Sequence, residues 1–153
     1  MNGSAAPQPP NFRLLRIIAW IMLGVMPLFY LALSYFVRVY PTVGDAEKSL
    51  VTNILLIVAV VALALLPLVE RIQISAYRAQ KNPKMTPAQL FFTLSMIKIA
   101  SVEAVYILGL VVYLVTGEPM RMYYFYPVGI AWSLVYWPRP SSFDALIAKL
   151  EKK

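Results

Sequence analysis

The sequence contains no cysteine and no histidine, and only 14% of its 153 residues are charged. The first two absences exclude disulfides, thiolate nucleophiles, iron–sulfur clusters, His-ligated haem and the usual zinc sites, so no cofactor and no metal is expected. They also leave Ser95, Ser101, Ser133 and Tyr106 without a histidine to activate them, so the chain is not read as an enzyme. Charge is absent in blocks. Residues 17 to 37, between Arg16 and Arg38, and residues 49 to 69, between Lys48 and Glu70, carry none. Each block holds 21 residues, which as helix reach roughly 31 Å, the thickness of bilayer hydrocarbon. With 60% hydrophobic residues, the chain reads as an all-α integral membrane protein with short loops.

A cleaved signal peptide is the alternative for the first block, because Arg13 and Arg16 precede it as a basic flank would. The block is longer than an h-region of about 7–15 residues, and no small-x-small site follows it before Tyr40-Pro41, so it is read as an anchor. A third helix announces itself at Thr86-Pro87-Ala88-Gln89: threonine as cap, proline at the first helical position and glutamine completing a capping box. It runs to Thr116, where Gly117-Glu118-Pro119 stops it. A fourth run, 122 to 138, has 17 residues including Pro127 and reaches only about 26 Å as helix, so a re-entrant segment is its alternative. Pro27 and Pro67 are expected to kink or end their helices by freeing the carbonyls of Leu23 and Leu63.

Charge counting selects four spans. If all four runs cross, ten basic residues share one side (Arg13, Arg16, Arg71, Arg78, Lys81, Lys84, Arg139, Lys149, Lys152, Lys153) and three the other (Arg38, Lys48, Arg121). Three crossings would remove this bias, so both termini are expected in the cytoplasm, in an inner or plasma membrane. Tyr123 to Tyr126 at one end of the fourth run and Tyr136-Trp137 at the other read as interfacial anchors. The expected organisation is therefore a flexible arm (1–12), a four-span domain (13–140; spans about 17–37, 49–69, 87–116 and 122–138) and an amphipathic cytoplasmic helix (141–153). In that last helix Phe143, Leu146, Ile147 and Leu150 form one apolar stripe, Ser141 and Asp144 are placed to cap its start, and Lys149, Lys152 and Lys153 suit anionic headgroups. The stripe suits either lipid or a partner subunit. The formal charge of +7 is absorbed by topology, and no nucleic-acid partner is expected.

Only Lys98 and Glu103 are charged within a span. Each would cost roughly 2.5–3.5 kcal/mol at mid-bilayer. Five residues apart, they lie about 140° apart around the helix and are not a face-sharing pair. Lys98 can lean toward the helix start and snorkel to the headgroups. Glu103 lies about 7.5 Å deeper and has too short a stem, so it needs a partner or a proton. The surrounding face (Met96, Ile99, Ala100, Ile107, Leu110, with Tyr106 the one hydroxyl) favours the protonated acid.

The run Glu103-Ala104-Val105-Tyr106-Ile107-Leu108-Gly109-Leu110-Val111-Val112, preceded at a distance by the polar turn Arg78-Ala79-Gln80-Lys81-Asn82-Pro83, resembles the second half of the c (proteolipid) subunits of rotary ATP synthases. The resemblance covers residues 70 to about 116 and implies that Glu103 binds a proton or sodium ion in a rotor ring. Residues 49 to 69 lack the glycine repeat through which such rings pack, Lys98 has no counterpart, and two further helices flank the matched hairpin.

Two functions stand. One is a structural or accessory subunit of a larger membrane complex, with lipid and protein subunits as partners and the oligomeric state open. The other is proton or sodium translocation through Glu103. No internal repeat points to a transporter.

Overall fold

The computed structural model describes residues 9–80 and 83–151. The expected flexible arm lies for the most part outside them, as do Lys81, Lys152 and Lys153. The described residues form helices and no strand: α1 (Phe12–Trp20), a π-helical segment (Ile21–Val25), α2 (Met26–Phe36), α3 (Asp45–Ala79), α4 (Pro87–Thr116), α5 (Pro119–Met122), α6 (Phe125–Val135) and α7 (Pro140–Glu151).

Three helical stretches, Phe12–Phe36, α3 and α4, are long and apolar enough to cross a membrane, and the chain is a membrane protein in that sense. Pro27 does not break the first. The turn before it widens so that the Met26 N–H reaches back to the Ile21 carbonyl, and Pro27 falls in the opening turn of α2, where a missing N–H matters least. Pro67 sits inside α3 without ending it.

The α4 start is the capping box expected from Thr86 and Gln89: the Thr86 hydroxyl accepts from the Gln89 N–H (3.2 Å) and the Gln89 side chain accepts from the Thr86 N–H (2.8 Å). Its end is Gly117 in the left-handed region, φ 69°, which a side chain would strain.

The bundle has two ends. At one, Leu15 of α1, Ile74 of α3, Phe91 and Leu94 of α4, and Phe143 and Leu146 of α7 pack together. At the other, the Thr42 N–H donates to the Val115 carbonyl (2.9 Å) and Arg121 donates to Ser49 (3.1 Å). The chain passes between these ends four times, the last pass lying along α4 as α5 and α6.

That fourth pass corrects the expectation of a single helix over 122–138. Pro119 starts a helix three residues early, and Pro127 has no N–H for the Tyr123 carbonyl, which instead accepts from the Tyr126 N–H (3.2 Å); the helix is interrupted at Tyr123-Tyr124. The 11 residues of α6 extend only about 16 Å. Thus, among the described residues, three helical stretches meet the length of a span.

The C-terminal helix also differs from expectation. It opens at Pro140, because proline fits the first helical turn, so Ser141 lies within it and is not its cap. Its apolar stripe is not free for lipid or for a partner. Phe143 and Leu146 are buried in the bundle end, with Ile147 and Leu150 packed at its margin. Phe12, Phe91 and Phe143 meet edge-on with centroids 5.5 to 6.4 Å apart.

Candidate functional site

Helix α4 is the central element, and it carries all three residues singled out above. Its buried face includes Ile99, Val102, Glu103, Val105, Tyr106 and Gly109, packed against the first membrane helix on one side and α6 on the other. The structure sends Lys98, Glu103 and Tyr106 to three different neighbours.

Glu103 is 5% exposed. Tyr30 of α2 donates a hydrogen bond to its Oε1 (3.0 Å), while Oε2 is buried and makes no hydrogen bond among the described residues. The partner that burial demanded is thus a phenol on the first membrane helix, a position indistinct within a charge-free run of the sequence.

Lys98, expected to lean toward the headgroups, donates from its Nζ to Oε2 of Glu70 on α3 (2.5 Å) and lies 5.4 Å from the centre of the Tyr136 ring. The other oxygen of Glu70 accepts from Lys149 of α7 (2.7 Å). One carboxylate therefore joins three helices. Glu70 looked in the sequence like the end of a span, and its i–j separation from either lysine gave no local signal.

Tyr106 does not join Glu103. Its ring lies over Gly129 of α6, and its hydroxyl is 3.4 Å from Ser133 Oγ, which donates to the Gly129 carbonyl (2.8 Å). Its ring centroid is 5.2 Å from that of Tyr126, whose hydroxyl donates to the Pro27 carbonyl (2.8 Å). Tyr113 makes the corresponding bond near the opposite end, to the Val37 carbonyl. Chemically these contacts tie helix to helix. Apart from them, the bare oxygen of Glu103 is the one buried polar side-chain atom left unmatched among the described residues.

A second charged cluster lies at the far end. Lys48 of α3 pairs with Asp45 (2.6 Å) and with Glu118 (3.0 Å), and Glu118 also receives Arg121 (2.6 Å). Arg121 first, then Lys48, hold the Glu118 carboxyl below the usual glutamate range, with partial burial opposing them. A lowered carboxylate adds stability that is present above the ordinary value and lost as pH falls through the lowered one. Glu118→Gln is therefore expected to lower the melting temperature in detergent slightly at pH 7, with a flat profile above about pH 5 and a difference that shrinks as the pH falls below the ordinary glutamate value. Melting curves of both proteins across that range check it.

Comparison with known protein families, with curated proteins and with solved structures returns no match.

Proposed function

We propose that this chain is a small multi-pass membrane protein serving as a structural or accessory subunit of a larger membrane complex, and that it is not an enzyme. The observation supporting this reading is the use made of its embedded polar side chains. Tyr30 with Glu103, Lys98 with Glu70 and Tyr126 with the Pro27 carbonyl each join two different helices, and Tyr113 ties α4 to the Val37 carbonyl just past the end of α2. Polar groups used as ties give a rigid bundle with an apolar exterior, Trp20, Leu28 and Phe29 on one side and Ile57, Leu65 and Leu68 on another.

The basic residues Arg13, Arg16, Arg71, Arg78 and Arg139 belong to the segments that meet at the Phe12–Phe143 end, and this end is assigned to the cytoplasmic face of an inner or plasma membrane. Purification from native membranes in a mild detergent should return the protein with partner subunits in fixed stoichiometry. A lone monomer, with the same band after crosslinking in membranes, would overturn the subunit reading.

A second reading is favoured by one observation, the bare Oε2 of Glu103. It is translocation of a proton or sodium ion through that carboxyl, as the likeness to proteolipid subunits implies. Glu103→Gln separates the two. The amide oxygen can still accept from Tyr30, so the subunit reading expects folding stability within about 1 kcal/mol of wild type and no change in ion flux in proteoliposomes. Loss of flux and of carbodiimide labelling with folding intact would instead make Glu103 the carrier.

A further inference from the structure

An open cavity of about 260 Å³ lies between α3, α4, α6 and α7, walled on its polar side by Glu70, Ser95, Lys98, Tyr136, Ser142 and Lys149. Three observations bear on what it holds. The first is charge. Glu70 takes both lysines, one on each oxygen, so the cluster keeps one uncompensated positive charge. The second is Ser95, which is 7% exposed. Of the buried serines and threonines, Ser34, Thr52 and Thr116 bond back to a carbonyl of their own helix, whereas the Ser95 hydroxyl makes no such bond among the described residues and opens onto the cavity. The third is depth. Glu70 is the first charged residue after the uncharged run 49 to 69, which places the cavity where hydrocarbon gives way to headgroups.

We propose that this cavity is a binding site for the phosphodiester headgroup of an anionic phospholipid. A phosphodiester carries one negative charge, which matches the one excess positive charge. Its oxygens accept from the ammonium groups of Lys98 and Lys149 and from the hydroxyls of Ser95 and Ser142, while the acyl chains remain in the bilayer. Ser142 belongs to the first turn of α7, whose dipole adds positive potential at the cavity. A water occupies roughly 30 Å³ of liquid, so the space admits a headgroup of several heavy atoms. Lipid bound there would bridge α7 to α3 and α4 and couple the docking of the tail helix to membrane composition.

The test uses the full-length protein, delipidated in dodecyl maltoside and titrated with phosphatidylglycerol or phosphatidylcholine under native mass spectrometry, with melting curves confirming that each variant is folded. Wild type is expected to take up one phosphatidylglycerol at least tenfold more tightly than phosphatidylcholine. Lys149→Gln should weaken that adduct roughly tenfold and Ser95→Ala several-fold. Lys84→Gln, an exposed lysine of the α3–α4 turn, should leave it unchanged. Equal loss in Lys84→Gln and Lys149→Gln would reduce the effect to diffuse attraction and overturn the site. So would the absence of a headgroup preference. Displacement of the lipid by millimolar inorganic phosphate, with the same dependence on Lys149, would also overturn the lipid and leave a soluble anion in its place.

Discussion

Glu70→Gln is expected to lower the unfolding free energy in detergent by about 2 to 3 kcal/mol. The substitution keeps the volume of the side chain and removes its charge, so it isolates what the carboxylate does for Lys98 and Lys149. Removing one partner of a buried ion pair leaves the other charge unmatched in a poorly solvated place, at a cost of roughly 3–5 kcal/mol when burial is complete. The Lys98 side chain is 24% exposed and sits by the Tyr136 ring, so some solvation and some cation–π attraction remain, and the lower figure applies. Lys98→Met should cost less, because Glu70 keeps Lys149. The double variant should recover to within about 1 kcal/mol of wild type, giving a coupling of at least 1 kcal/mol. Thermal or SDS-titration unfolding of the four proteins measures the cycle. A Glu70→Gln protein as stable as wild type would show that Lys98 reaches the headgroups by itself and that the ion pair is incidental.

The second large effect concerns the seam between α4 and α6. A methyl group added at Gly129 would lie 2.5 Å from Cε1 and Cζ of the Tyr106 ring. That ring cannot swing aside freely: it is 1% exposed and lies against Tyr126. Gly129→Ala is therefore expected to destabilise by roughly 2 kcal/mol, in the range of core overpacking, and to loosen α6 from α4. Gly129→Ala combined with Tyr106→Leu should regain part of that loss, because a smaller side chain clears the site. Gly44→Ala is the control, since a Cβ there meets nothing within 4 Å. Equal melting temperatures for Gly129→Ala and wild type would rule out the close approach on which the seam rests.

Some of this architecture was written in short stretches of sequence. Thr86 to Gln89 announced the α4 start because a capping box is made by neighbours three residues apart. Gly117 announced its end because the left-handed turn needs a residue without a side chain. The need of Glu103 for a partner followed from depth and stem length alone. The identity of that partner did not, since Tyr30 is 73 residues away and one tyrosine in an apolar run looks like any other. The ion pair of Lys98 was hidden for the same reason, since Glu70 becomes its neighbour only when α3 and α4 pack antiparallel. The fourth pass was misread because the effect of Pro127 on the turn before it was set against hydropathy, and backbone hydrogen bonding prevailed.

Hydropathy, charge placement and caps are properties of a residue and its close neighbours, and they determined without any structure that this chain is helical, apolar over bilayer lengths and basic at one end. Which polar groups meet, whether the apolar stripe of α7 faces lipid or the bundle, and where a cavity forms at the headgroup level are set by helix register. Register depends on how whole surfaces interlock between segments distant in the chain. Only the tertiary structure joined Glu103 to Tyr30, placed Glu70 between two lysines and turned Phe143 inward.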